Sequence, residues 1–320
     1  MSAKEFDKLS PYSHQNSSAP ALTVSNLRKR YGKFMAVDDV SFTVERGSTV
    51  LMLGPNGAGK TTIIKCIMGL LNFRGKISVE GIDVGKDGRL ARERIGYVPQ
   101  QSAYYENLTV GDEAKLVARL KKTDGREIED ALRIVNLWDV RNRRVKSLSS
   151  GMRQRLGIGL AMLSNPEFLI FDEPTSNVDL KGQLDFQSLL KTFSQQGKTL
   201  LICTHLSGLD KFAGKVIILD SGRIIANGSP AELLGRINAV DTVFVKLRDA
   251  DFERASEAIR GVVGEVTRQD NWLSFSVVPE KKGDVLRAIM EGGSRIEDLV
   301  IEPSAIESEY LRLLKKGTGN

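Results

Sequence analysis

The stretch Gly54-Pro55-Asn56-Gly57-Ala58-Gly59-Lys60-Thr61 fits the pattern G-x-x-x-x-G-K-[ST] at every constrained position. An apolar run from Thr49 to Leu53 precedes it, and Thr62 to Leu71 reads as a helix. Strand, loop and helix thus follow in the order a phosphate-binding loop requires. The chemistry explains the residue types. Glycines let consecutive backbone N–H groups curl around a phosphate, and a helix N-terminus adds the positive end of its dipole. Lys60 supplies a compact cation to β- and γ-phosphates, and the Thr61 hydroxyl is a hard oxygen donor suited to Mg²⁺. The bland alternative is an unoccupied glycine-rich turn, and the flanking strand and helix argue against it.

Outward from this loop the chain alternates short apolar runs with longer amphipathic ones, from Ala21 to about Arg236. Leu22-Thr23-Val24, Val40 to Val44 and Lys76 to Val79 alternate apolar with polar, as half-buried strands do. Phe168 to Phe171, Thr199 to Cys203 and Val216 to Leu219 are nearly continuous apolar runs, the mark of strands covered on both faces. Helical patterns lie between them, at Ile128 to Leu137 and Leu184 to Phe193. The expectation is an α/β domain over 21–236, with an antiparallel β flap from the early strands. Residues 240–320 read as a second, small α+β domain. Its order is strand (Asp241–Leu247), helix (Ala250–Arg260), strand (Gly264–Arg268), strand (Trp272–Val278), helix (Lys281–Met290), strand (Arg295–Ile301). That β-α-β-β-α-β order is ferredoxin-like. A capping-box spacing from Ser304 to Glu307 opens a last helix through Leu314.

Of 320 residues, 41% are hydrophobic and 27% charged, so wholesale disorder and fibrous classes are excluded. No apolar stretch approaches the roughly 20 residues of a membrane span. The net charge of +6 suits nucleotide, nucleic acid or an anionic membrane surface and selects none of them. Residues 1–20 read as a polar tail without the apolar core of a secretory signal. Cys66 and Cys203 each lie in an apolar segment and read as free thiols of a reducing, cytosolic compartment. Trp138 and Trp272 read as packing residues, and Lys121-Lys122 and Arg141 to Arg144 as solvated surface.

A phosphate loop alone leaves GTPases, kinases and many ATPases open. Downstream stand Leu148-Ser149-Ser150-Gly151-Met152-Arg153-Gln154-Arg155 ahead of an apolar helix, then Phe168 to Phe171 running into Asp172-Glu173-Pro174. Ser176-Asn177-Val178-Asp179 follows, and Thr204-His205 ends another apolar run. In this order the motifs resemble those of the ATP-binding cassette (ABC) transporter ATPases, over about residues 22 to 236. The resemblance implies a P-loop cassette with a mixed sheet and a helical insert at about 101–165. It implies ATP and Mg²⁺ as cofactors, with Gly54 to Thr61 and Thr62 holding the phosphates. Tyr31 resembles the aromatic that stacks on adenine; ending a strand is its other reading. Gln100, in Tyr97-Val98-Pro99-Gln100, resembles the Q-loop glutamine that reaches Mg²⁺ and the attacking water. Asp172 would hold Mg²⁺ through water, Glu173 would act as general base, and His205 would contact the γ-phosphate.

The family motif Leu-Ser-Gly-Gly-Gln is altered here, with Ser150 and Met152 replacing a Gly and the Gln, while Ser149 and Gly151 remain. In the family this segment, with the D-loop Asp179, binds the nucleotide held by the opposite subunit. The implied partners are therefore a second copy or a homologous cassette, and a separate multi-span membrane permease that carries the chain at the cytoplasmic face. The Gly-Met-Arg-Gln-Arg variant, Tyr104 to Thr109 and the segment Asp298 to Leu311 resemble the ABC-2 exporter group. A soluble cassette ATPase acting on ribosomes or nucleic acid is the alternative. Such proteins usually carry paired cassettes or long coiled-coil insertions, which this chain lacks, and no specific nucleic acid is expected.

Overall fold

In a computed structural model, residues 19–123, 125–176, 178–204, 209–235, 241–263 and 266–302 are described. Leu22–Tyr31 (β1) and Phe34–Val44 (β2) form a hairpin, followed by Thr49–Leu53 (β3), helix Lys60–Ile67 (α1), Arg74–Val79 (β4) and Ile82–Asp83 (β5). Helix Val84–Glu93 (α2) leads into Ile95–Val98 (β6), and helices Val110–Lys121 (α3), Gly125–Ile134 (α4) and Ser150–Met162 (α5) form the insert. Phe168–Asp172 (β7), Leu180–Gln195 (α6), Thr199–Thr204 (β8), Lys215–Asp220 (β9), Arg223–Gly228 (β10) and Pro230–Gly235 (α7) complete this part.

The early strands pair as an antiparallel flap in the order β2-β1-β4-β5. The larger sheet runs β10-β9-β3-β8-β7-β6, parallel throughout except for the β9–β10 hairpin. Its continuous apolar runs serve two cores, because successive side chains point to opposite faces. Val50 and Met52 pack with Ile63, Ile64 and Ile67 of α1 and with Leu22, Val24 and Val40 of the flap. Their neighbours Leu51 and Leu53 pack on the other face, against Leu156 and Ile158 of α5 and Phe186 of α6. Phe171 meets Phe186 edge to face at 5.4 Å. Each fully buried side chain of this size contributes about 1.5–3 kcal/mol. The flap, the mixed sheet and the helical insert are those expected from the sequence.

Parallel direction has one consequence for function. Strands β3, β8, β7 and β6 all end at the same side of the sheet, where α/β proteins bind ligands.

The C-terminal segment builds its own sheet from Asp241–Leu247 (β11), Val266–Gln269 (β12), Trp272–Val277 (β13) and Ile296–Glu302 (β14). Its order is β12-β13-β11-β14, antiparallel throughout. Helices Phe252–Ile259 (α8) and Lys282–Glu291 (α9) cover one face, burying Val243, Val245 and Leu247 against Ala255, Ile259, Val285 and Ile289. The ferredoxin-like order is realised. The expected helix at 304–314 lies outside the described residues.

Three local expectations are corrected. The helix after the phosphate loop stops at Ile67 rather than Leu71, because Gly69 turns left-handed at φ +60°. The Leu70 N–H then bonds the Lys65 carbonyl at 2.9 Å and the Gly69 N–H that of Cys66 at 2.9 Å, a glycine-terminated helix end. Lys121 is not solvated surface: its ammonium donates to the Ala161 and Leu163 carbonyls at 3.2 and 3.1 Å, closing the C-terminal end of α5. Arg141 stacks on the Trp138 ring at 4.4 Å. Both cysteines are free and buried, as read from the sequence.

Candidate active site

The phosphate loop joins β3 to α1, and its glycines answer to local geometry. A Cβ on Gly54 would stand 2.6 Å from the Leu219 carbonyl oxygen, and one on Gly59 2.7 Å from that of Ala36. Gly57 and Gly59 adopt φ of +85° and +103°, which L side chains resist. Lys60 opens α1 and its side chain is 5% exposed. Its ammonium donates to the Gly54 carbonyl at 2.6 Å and the Pro55 carbonyl at 3.2 Å, and lies 3.1 Å from Glu173 Oε1. Glu173 is 4% exposed, so this is a buried ion pair.

Next to Lys60, the Thr61 hydroxyl donates to Asp172 Oδ1 at 3.2 Å, tying α1 to the end of β7. The other oxygen, Asp172 Oδ2, is buried without a hydrogen-bond partner. Burial pushes the Asp172 carboxyl above the usual carboxylate range; the Thr61 hydrogen bond opposes the rise and the Glu173 carboxylate adds to it. Such a site gains from a small hard cation. Thr61 and Asp172 offer oxygen donors, and among the described residues no group of three or more His, Cys, Asp or Glu could hold a metal. That pattern fits Mg²⁺, which usually takes one or two protein carboxylates and fills its shell with phosphate oxygens and water.

Glu173 itself sits at φ +50°, a left-handed conformation uncommon for a side-chain-bearing residue. Its N–H is held by the Cys203 carbonyl at 2.8 Å, and its carbonyl accepts the Ser176 hydroxyl at 3.1 Å. Conformations of this kind cost on the order of 1–3 kcal/mol and cluster at functional sites. No sequence signal announces it. Burial and the nearby Asp172 carboxylate push the Tyr97 phenol and the Cys203 thiol upward, so both stay neutral.

Tyr31 ends β1, 46% exposed, with the Lys29 ammonium 5.0 Å from its ring centre. Gln100 lies two residues beyond β6, exposed, at the side of the sheet where β7 delivers Asp172. Ser149 caps α5, its hydroxyl accepting the Met152 N–H at 3.3 Å, and Ser150, Gly151 and Met152 form the first turn. Asp179 caps α6 by accepting the Gly182 N–H at 2.9 Å. Among the described residues, no hydrogen bond or ion pair links Ser149–Met152 or Asp179 to the phosphate loop. The structure thus gathers Lys60, Thr61, Asp172 and Glu173 in one cluster and leaves the α5 and α6 caps outside it. Thr62 is half-buried in α1, and His205 lies outside the described residues.

Two residues with no role assigned from sequence brace the cluster. The Gln154 side-chain amide of α5 donates to the Pro174 carbonyl, just past Glu173. The Tyr104 hydroxyl donates to the Arg153 carbonyl at 3.0 Å, and Gly157 leaves it room, since a Cβ there would stand 2.6 Å away. Sequence marks both only as parts of the Gly-Met-Arg-Gln-Arg and Tyr104 to Thr109 stretches, with no hint of these contacts.

Comparison with known proteins agrees with this geometry. Residues 37–176 match the family described as ABC transporter. The daunorubicin resistance ATP-binding protein DrrA3 of Streptomyces coeruleorubidus is 32% identical, across 92% of this chain and 95% of its own. The linearmycin resistance ATP-binding protein LnrL of Bacillus subtilis is 32% identical, over 80% of this chain and 85% of its own. The Nod factor export ATP-binding protein I of Ralstonia nicotianae is 33% identical, over 71% and 73%. A solved ATP-binding subunit of an ABC transporter superposes with a TM-score of 0.62 at 29% identity, covering 68% of this chain and 92% of that one. The dimeric cassette MJ0796 bound to ADP and Pi gives 0.59 at 25% identity, over 65% and 98%. With the phosphate loop, the paired acids and the cassette fold in one chain, the protein belongs to the ATP-binding proteins of the ABC transporter family.

Proposed function

We propose that the chain hydrolyses ATP as the motor subunit of an ABC-2 type exporter, with 21–236 as its ATPase domain and 240–320 as an accessory domain. The observation that carries this reading is the buried cluster in which Lys60 bridges the loop carbonyls and Glu173 while Thr61 holds Asp172. Lys60 has its ammonium where a triphosphate must arrive, so bound phosphates draw it away from Glu173 and leave that carboxylate free to accept a proton. Glu173 then takes a proton from water as its oxygen bonds the γ-phosphorus and the ADP oxygen leaves, giving ADP and phosphate. Gln100 and His205 orient that water, and Tyr31 stacks on adenine, an interaction worth about 1–3 kcal/mol. Gly54, Pro55, Asn56, Gly57, Ala58, Gly59 and Thr62 supply the phosphate cradle. Thr61 and Asp172, with Gln100, hold Mg²⁺, which supplies positive charge to the β- and γ-phosphates.

Ser149, Ser150, Gly151, Met152 and Asp179 have no partner role within the chain's own cluster, which suits contacts to nucleotide on a second cassette. Two copies, or this chain and a homologue, would close head to tail over two ATP molecules, because only the closed pair makes those contacts. A separate membrane permease at the cytoplasmic face would turn closure into transport. In the described residues no helix is long and apolar enough to cross a membrane. Export is supported by the names of the relatives, which attach them to drug resistance and Nod factor export.

Glu173→Gln tests the reading. It should keep ATP bound, cut phosphate release by about 10²–10⁴, and give a nucleotide-dependent dimer on size-exclusion chromatography. Unchanged hydrolysis would remove Glu173 from its role.

A further inference from the structure

We propose that Tyr97 is a positioning residue for the metal: its hydroxyl donates to Asp172 Oδ2 and keeps that carboxylate in one orientation toward Thr61 and Mg²⁺. This role rests on the ATPase reading, because the cation arrives with the phosphates of the nucleotide. From sequence, Tyr97 counts only as a neighbour of Gln100.

The register of the larger sheet puts the two side chains side by side. In the parallel pairing of β6 with β7, Tyr97 lies opposite Ile170, so Asp172 stands two residues further along the neighbouring strand. Positions two apart share a face of the sheet. That face is the α1 side. Ile170 belongs to the core that holds Ile63, Ile64 and Ile67, the Tyr97 ring packs against the same core, and Thr61 reaches Asp172 from α1. A strand spacing of about 4.8 Å and a rise of about 3.3 Å per residue set the two Cα atoms about 8 Å apart. An aromatic side chain spans such a diagonal.

Asp172 lacks a donor at this place. It is 1% exposed, Thr61 serves Oδ1, and Oδ2 is buried without a hydrogen-bond partner. An unmatched buried acceptor is costly, and more so when it carries charge. The nearby cation, Lys60, is committed to the Gly54 and Pro55 carbonyls and to Glu173. The Cys203 thiol, opposite Asp172 on β8 and on the same face, is a weak donor. The Tyr97 phenol is a strong one. Burial and the Asp172 charge keep its proton in place, and its hydroxyl stands within reach of the Asp172 side chain. Ring and hydroxyl therefore have separate tasks: the ring fills the edge of the core, as a phenylalanine would, and the hydroxyl serves the carboxylate. Carboxylates that hold metals are themselves hydrogen-bonded as a rule, and loss of such an outer partner costs about 10–100-fold in metal affinity.

Tyr97→Phe removes the hydroxyl and keeps the ring. Binding of a non-hydrolysable ATP analogue to the full chain, followed by titration calorimetry in EDTA and across a Mg²⁺ series, tests the role without turnover. The Mg²⁺ concentration that gives half of the metal-dependent gain in affinity should rise about tenfold or more in Tyr97→Phe. Affinity in EDTA and the melting temperature should match those of the native chain, and Cys203→Ala should show the native Mg²⁺ requirement. An unchanged requirement in Tyr97→Phe overturns the proposal. So does an equal loss of affinity in EDTA, the mark of a packing role, and so does the same rise in Cys203→Ala, which would make the thiol the donor. A native chain that binds no analogue at any Mg²⁺ concentration overturns the ATPase reading as well.

Discussion

Lys60 and Glu173 form a pair whose two charges are both nearly sealed from water, and removing one partner of such a pair strands the other. Lys60→Ala should therefore lose more than nucleotide affinity. It should lower stability by up to about 3–5 kcal/mol in chemical denaturation. Adding Glu173→Gln to that variant should restore most of the loss, since the stranded charge is gone; equal instability of single and double variants would show that the pair matters little. Glycines divide in the same way. Gly54→Ala drives a methyl toward the Leu219 carbonyl, where overpacking costs about 1–3 kcal/mol. Gly151→Ala meets nothing nearer than Gly182 Cα at 3.9 Å, and alanine suits a helix better. Its melting temperature should hold or rise while ATPase turnover falls, if Gly151 contacts the nucleotide of a second cassette as proposed. A destabilised but fully active Gly151→Ala would reverse that assignment.

Among the elements, α5 is tied down at both ends. Gln154 ties its start to the segment after Glu173, Tyr104 holds its first turns, and Lys121 closes its end. Burial draws the Lys121 ammonium down to about 8 from an unfolded value of 10.5. The unfolded chain therefore binds that proton more tightly, so stability is fully present above pH 10.5 and is lost as pH falls toward 8. Urea denaturation of the native chain and Lys121→Met should show the native chain gaining on the variant across that window; parallel pH profiles would refute the shift. Strands were legible in the sequence where burial on both faces forces unbroken apolar runs, as at Phe168 to Phe171. Helix ends were less so: Leu70 and Leu71 fit the helical pattern, yet Gly69 had already turned the chain. Helix α2 escaped notice because only Val84 and Ala91 are buried and two glycines interrupt it. The phosphate loop and the acid pair could be read directly, since their residue types are dictated by the ligand. The left-handed Glu173 and the Gln154 brace could not, because both depend on neighbours distant in sequence.

At the scale of the molecule, the flap and the phosphate loop touch without slack. The Ala36 carbonyl occupies the space a Cβ would need at both Gly59 and Gly222, at 2.7 Å in each case. The Asp38 N–H bonds the Gly222 carbonyl at 2.8 Å, and the Gly222 N–H bonds that of Ala58 at 3.0 Å. Amide exchange at Asp38 and Gly222 should consequently slow together when nucleotide binds, with amides of β11 and β13 unaffected; independent rates would separate flap from loop. Gly222 thus works as a rivet. Purine seated on one plate and phosphate gripped by the other would be felt as a single event, so a fragment engaging only one end should stiffen both.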